Sequence, residues 1–205
     1  MPPLTADSFV PQDFASLITL LGGEDEFIKR LDFLHTSGLT DIGNEPSFLT
    51  VFLYHYAGRP ALSTQRVHTY IPAFFNASTI GLPGNDDNGA MASFTAFCML
   101  GLFPNPGQNV YLISPPFFES VSFKHPGSSK AATIRNVGFD ASYKNVYIQN
   151  ATLNGKPYTR NWIGHEFFAE GMVLELYLGE AESSWGTKAE DRPPSMSDAS
   201  ASIST

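Results

Sequence analysis

The chain has 205 residues, 42% of them apolar, which is enough for one large domain or two small ones built on a real core. Its formal net charge of -8 argues against nucleic acid as a partner, because phosphate binding wants Lys and Arg, and it suits a neutral substrate or a cation. A single cysteine, Cys98, excludes an intramolecular disulfide framework and a cysteine-ligated zinc site, and no run approaches the ~18 consecutive apolar residues of a membrane span.

The opening segment MPPLTADSFVPQDF has neither the basic stretch nor the apolar stretch of a secretion signal, so the default expectation is a cytoplasmic chain. Residues 1–103 then read as about five helices. In PQDFASLITLLGG, Phe14, Leu17, Ile18 and Leu21 recur at helical spacing before Gly22-Gly23. GEDEFIKRLDFLHTSG repeats the form, with an acidic first turn that suits the helix macrodipole, apolar Phe27, Ile28, Leu31 and Leu34, and Gly38 as a stop. EPSFLTVFLYHYAG is a third helix with Pro46 near its first turn, and PALSTQRVHTYIPAFF a fourth with polar Arg66 and His68. The fifth is expected from Asp86 to about Leu102, apolar on nearly every face and hence buried on all sides, with Cys98 a core residue.

From residue 104 the signal turns to strand: VYLI, SVSF, AATIRNV, NVYIQNATLN and MVLELYLG. The Asn-Gly dipeptide in LNGKPY marks a hairpin. Residues 104–182 are therefore expected to form a small antiparallel β unit, giving an α+β chain overall. Residues 183–205 are small and polar and are expected to be a disordered tail.

Chemistry concentrates in two short stretches. In GLPGNDDNGAM, Asp86 and Asp87 stand before the apolar fifth helix. One of them reads as a cap accepting free backbone N–H groups. A second carboxylate there is surplus, and its desolvation is costly unless a cation or a substrate uses it. Calcium is an alternative, since it takes hard oxygens, although the EF-hand spacing fails. In GNEP, residues 43–46, Glu45 and Pro46 read as a helix start. Asn44 and Glu45 would also present a polar cluster that converges with the first if both helices line one cavity. The histidines show no metal-ligand spacing, HEFFA lacks the second histidine of HExxH, and HPGSSK at 125–130 is no phosphate loop. His165 reads as structural, and Phe48, Phe52, Tyr54 and Tyr56 as core. Asn76-Ala-Ser and Asn150-Ala-Thr are glycosylation sequons, a weak sign of secretion.

Taken in order, VPQD, GNEP, LYHYAGRP, GLPGNDDNGAM, YLISPPFF and YIQNATLNGKPY, running from about Phe9 to Trp185, resemble glycoside hydrolase family 92, exo-acting α-mannosidases. The resemblance implies a calcium-dependent, inverting hydrolase of terminal α-linked mannose, α-1,2 in many members, acting on N-glycans of glycoproteins. It implies an (α/α)6 barrel behind an N-terminal β-sandwich, of which residues 1–103 would be the last part. Inversion uses two carboxyls roughly 6.5–9.5 Å apart, one an acid for the leaving oxygen and one a base for water. The position matching the family's base is Asp87, with Asp86 beside it. Asn44, Glu45 and Asn85 would line the mannose site, and Asn44 and Glu45 the calcium. The family's acid is a glutamate in a segment shortly before VPQD, so the resemblance implies a C-terminal piece carrying the base half alone, with the missing N-terminal part as its partner and relatives often secreted. The alternative is a non-catalytic mannose- or calcium-binding remnant.

Overall fold

The computed structural model describes residues 9–124 and 130–201. Residues 125–129, most of HPGSSK, lie outside them, as do the two ends of the chain.

Helix α1, Phe14–Leu20, starts where the Asp13 carboxylate accepts from the Ser16 N–H at 3.2 Å, and it buries Phe14 and Ile18. Helix α2, Glu24–Thr36, carries Glu24, Asp25 and Glu26 in its first turn and buries Phe27, Leu31 and Leu34. The expected third helix is wound tighter than an α-helix. Two 3-10 segments, Glu45–Ser47 and Leu49–His55, replace it. Phe48 N–H reaches only back to Glu45 O, Val51 N–H to Phe48 O, and the Thr50 hydroxyl competes for Ser47 O. Every residue of Leu49–His55 is buried, so Phe48, Phe52, Tyr54 and Tyr56 are core.

Helix α3, Pro60–Phe74, has proline at its first position, where a missing N–H costs nothing. Helix α4, Ala90–Leu100, begins four residues later than expected, because Asp87, Asn88 and Gly89 are all in the left-handed region. It is also not buried on all sides. Met91, Phe94 and Cys98 are buried, whereas Ala92, Ser93 and Ala96 are exposed. The exposed face is made of small residues, which cost little to leave in water.

Strands β1 (Leu102–Pro104), β2 (Tyr111–Ile113) and β7 (Trp162–Ile163) form one small antiparallel sheet. Strands β3 (Ser120–Lys124), β4 (Ala131–Val137), β5 (Tyr147–Leu153), β6 (Lys156–Pro157) and β8 (Val173–Gly179) form the other, in the order β3-β4-β8-β5-β6. The β unit is therefore not wholly antiparallel: β4 and β8 run parallel, Thr133 opposite Val173 through Val137 opposite Tyr177. A parallel pair needs a long crossover. The chain between these strands supplies it, with the β5–β6 hairpin, β7 and helix α5 (Glu166–Glu170). Asn154 and Gly155, φ +51° and +75°, make the two-residue turn between β5 and β6 that Asn-Gly signalled.

Two cores result. One joins Phe14, Phe27 and Leu31 to Phe52, Val67, Met91 and Phe94, and the other packs Ile134, Leu174 and Leu176 against Phe167 and Trp185. Buried polar groups tie them. His55 Nε2 pairs with Ile113 O at 2.8 Å, and Asn161 Nδ2 donates to His55 O and Gly186 O.

The segment after Gly179 departs from the expected loose tail as far as it is described. Trp185 is buried and its Nε1–H donates to Tyr158 O. Asn161 N–H donates to Asp191 O, Arg192 pairs with Glu24, and Ser195 Oγ accepts from Ala15 N–H at the start of α1. A short helix α6, Met196–Ala201, follows, with Ser197 Oγ donating to Asp13 at 2.7 Å. Hydrogen bonds and one tryptophan do here what hydrophobic periodicity does elsewhere, so a pattern search passes over them.

Candidate active site

The two polar stretches singled out in the sequence meet through their glycines. A Cβ at Gly84 would lie 2.1 Å from Gly43 O, and one at Gly43 would lie 3.0 Å from Gly84 N. Only bare backbone fits on either side. Gly84 also sits at φ +65°, in the left-handed region. Asn44 and Glu45 leave one side of this contact, and Asn85, Asp86 and Asp87 leave the other. The GNEP side is held by Asp41, whose Oδ1 accepts from Gly43 N–H at 2.9 Å and whose carbonyl accepts from Ser47 Oγ at 2.6 Å. Sequence reading passed over Asp41. Its signal was the Asp-x-Gly spacing of an Asx-turn.

The paired acids divide their work. Asp86 Oδ1 accepts from the Ala92 N–H at 3.0 Å, the third amide of α4, and Asp86 O accepts from Ala90 N–H at 2.7 Å. Asp86 thus answers first-turn amides of α4 from upstream, while Gly89 holds the N-cap position itself. The positive end of α4 favours negative charge there. Asp87 is exposed at φ +30°, followed by Asn88 at +60° and Gly89 at +84°. A non-glycine residue at such a φ stores strain of about 1–3 kcal/mol, and such positions cluster at working sites. Among the described residues, nothing donates to the Asp87 carboxylate.

Glu45 is half-buried, and its Oε1 is shielded from solvent with no hydrogen-bond partner among the described residues. A buried, unpaired carboxylate oxygen costs free energy unless a ligand uses it. Glu45 and the exposed Asn44 offer hard oxygens of the kind calcium takes, but two side chains are part of a six- to eight-oxygen shell. Among the described residues no group of three or more His, Cys, Asp or Glu side chains is placed to hold a metal.

The histidines among the described residues are structural. His165 Nδ1 pairs with Tyr111 OH at 3.0 Å. His35 Nδ1 pairs with Tyr70 OH at 2.8 Å, and its Nε2 with Thr50 O. His68 stacks on Phe117. Burial lowers His35, His55 and His68 to a pKa of about 4, so all three are neutral at pH 7.

Comparison with known proteins extends this geometry. Residues 3–180 match the glycosyl hydrolase family 92 catalytic domain. Over 188 residues the chain is 69% identical to an uncharacterized secreted glycosidase of Arthroderma benhamiae, covering 92% of this chain and 24% of that protein. It superposes with a TM-score of 0.85 and 26% identity on a family GH92 α-mannosidase of Bacteroides thetaiotaomicron in complex with mannoimidazole, covering 94% of this chain and 27% of that one. A family GH92 inverting mannosidase of the same organism gives a TM-score of 0.85 and 26% identity, with 95% and 29% covered. The chain thus spans about a quarter of the length of these relatives. No helix among the described residues is long and apolar enough to cross a membrane. The chain belongs to glycosyl hydrolase family 92.

Proposed function

We propose that this chain carries the general-base half of an inverting α-mannosidase site that removes terminal α-linked mannose, α-1,2-linked above all, from N-glycans. The observation that carries the reading is the Gly43–Gly84 contact, which sets Asn44 and Glu45 beside Asn85, Asp86 and Asp87. A mannoimidazole-bound mannosidase and an inverting mannosidase among the structural relatives support the sugar and the stereochemistry.

In this reading Asp87 takes the proton from the attacking water. It is free to do so because Asp86 already answers the α4 amides. Asn85, Asn44 and Glu45 hold sugar hydroxyls. Calcium, when bound, would be held by Glu45 and Asn44 and would supply a charge that orients sugar oxygens. The acid that protonates the leaving oxygen belongs to the three quarters of the relatives' length not spanned here. Helices α1–α4 with the intervening 3-10 segments are then part of an (α/α)6 barrel over residues 1–103, with 104–182 as the β unit behind it. The secreted relative makes an extracellular enzyme the reading for the whole protein.

The test is calorimetry and an assay on the same sample. The 205-residue chain is expected to bind methyl α-mannoside in the presence of calcium and to leave α-1,2-mannobioside uncleaved. Hydrolysis abolished by EDTA would overturn the half-site assignment. Absence of calcium-dependent binding would overturn the sugar site.

A further inference from the structure

A second cleft lies away from the paired loops. It has a volume of about 510 Å³ and is lined by Gln12, Gln108, Asn109, Trp162 and Glu166, with Met196 at its edge. That size suits a small organic ligand. Gln108 and Asn109 come after β1, which α4 feeds through Gly101, whereas the Asp86–Asp87 loop precedes α4. The whole of α4, 11 residues long, lies between the two in the chain, and none of the residues lining the cleft belongs to the GNEP or GLPGNDD stretch.

The cleft carries a preformed polar set. Asn109 Oδ1 accepts from His165 N–H at 2.6 Å, and its Nδ2 donates to Glu166 Oε2 at 3.3 Å. The Glu166 carboxylate folds back over Gly164, where a Cβ would lie 2.2 Å from Oε2. Gln108 Nε2 donates to Pro11 O at 2.6 Å, which fixes the amide. Two polar atoms on this wall are buried without a partner among the described residues, Gln108 Oε1 and Trp162 Nε1. One is an acceptor and the other a donor, and leaving each buried and unpaired is unfavourable.

We propose that this cleft is a second carbohydrate-binding site, taking a neutral hexose such as a terminal mannoside at a distance from the Asp87 site. A hydroxyl donates and accepts at once, so a polyol answers an orphan acceptor, an orphan donor and a carboxylate together. An anionic ligand would meet Glu166, and among the described residues no Lys or Arg lines the cleft to offset it, the nearby Arg160 guanidinium lying over the Trp162 ring. An apolar ligand would leave Gln108 and Trp162 unpaired. On a glycan-trimming enzyme such a site holds a neighbouring branch of the substrate while another branch is processed.

The chain has two tryptophans, and Trp185 Nε1–H is already bonded to Tyr158 O. Their indole N–H signals in a nitrogen-15 correlation spectrum are therefore separate reporters. On titrating methyl α-mannoside into the full chain, the Trp162 signal is expected to shift saturably, with a dissociation constant of ~1–10 mM, and the Trp185 signal to stay. Glu166→Ala weakens that shift ~5-fold, with an unmoved Trp185 signal certifying the fold. Asp87→Asn leaves it unchanged, which separates this site from the proposed mannosidase site. The proposal is overturned by a Trp162 signal that stays still at ~50 mM sugar, that moves equally with glycerol, or whose shift disappears in Asp87→Asn.

Discussion

Gly43 and Gly84 touch backbone to backbone, so that neither loop of the candidate site can be placed without the other. Gly84→Ala would drive a Cβ to 2.1 Å from Gly43 O and hold alanine at φ +65°. The loops must part. The expected cost is about 3 kcal/mol, read as a lowered urea midpoint, together with loss of calcium-dependent mannoside binding. A Gly84→Ala variant that keeps both would show that the contact is incidental.

Asp86 and Asp87 should fail in different ways. Asp86→Ala removes the acceptor for Ala92 N–H and is expected to cost about 1 kcal/mol in denaturant unfolding. Asp87→Asn should leave stability unchanged, because nothing among the described residues bonds its carboxylate. Under the proposed general-base role, its effect is expected in catalysis instead. In a chimera joining this chain to the parts of the Arthroderma benhamiae relative that it does not span, Asp87→Asn is expected to lower kcat by ~10²–10⁴ with KM little altered.

Acid should unfold the chain early. His35, His55 and His68 titrate at about 4 when folded because of burial, against about 6.5 when free. Between those values the unfolded chain holds more protons, so stability rises with pH across the window. It is fully present above pH 6.5 and falls as the pH drops toward 4, the loss between pH 7 and pH 5 being on the order of 5 kcal/mol for the three together. Urea midpoints at pH 7 and pH 5 measure this. His68 Nε2 is buried without a partner among the described residues and its ring lies on Phe117, so His68→Phe is expected to flatten the profile without loss at pH 7.

Removing residues 183–205 should destabilise the whole molecule. The deletion uncovers the second core where Trp185 sits and breaks the Arg192–Glu24, Ser195–Ala15 and Ser197–Asp13 links to α1 and α2. A loss of at least about 3 kcal/mol is expected from thermal or urea unfolding. An unchanged midpoint would mean that the segment is ornamental.

The sequence announced elements by periodicity, and those were legible: α1, α2 and α3, the Asn-Gly hairpin, and the long strands β4, β5 and β8. Features set by single hydrogen bonds were not. The Thr50 hydroxyl takes Ser47 O where an α-helix was expected and 3-10 segments formed, and the left-handed Asp87-Asn88-Gly89 run delayed α4. The parallel β4–β8 pairing depends on which strand enters a sheet last, which no local pattern records. The candidate site was legible as two motifs, because Asp, Asn and Gly in such clusters are costly unless used. The cleft around Trp162 was not, since its residues come from four separated stretches that only the fold assembles.

The order β3-β4-β8-β5-β6 places the last-synthesised strand at the middle of its sheet. At ~5–20 residues per second, a ribosome makes β4 several seconds before β8 exists to lie beside it. Until then the sheet is two unconnected hairpins with bare inner edges, and Ala132 and Ile134 wait without cover. A nascent chain of this kind is exposed to wrong partners while residues 138–172 are made, and its sheet closes only when β8 emerges. Its yield in a cell will therefore depend more on what shields those edges during translation than on the stability of the finished molecule.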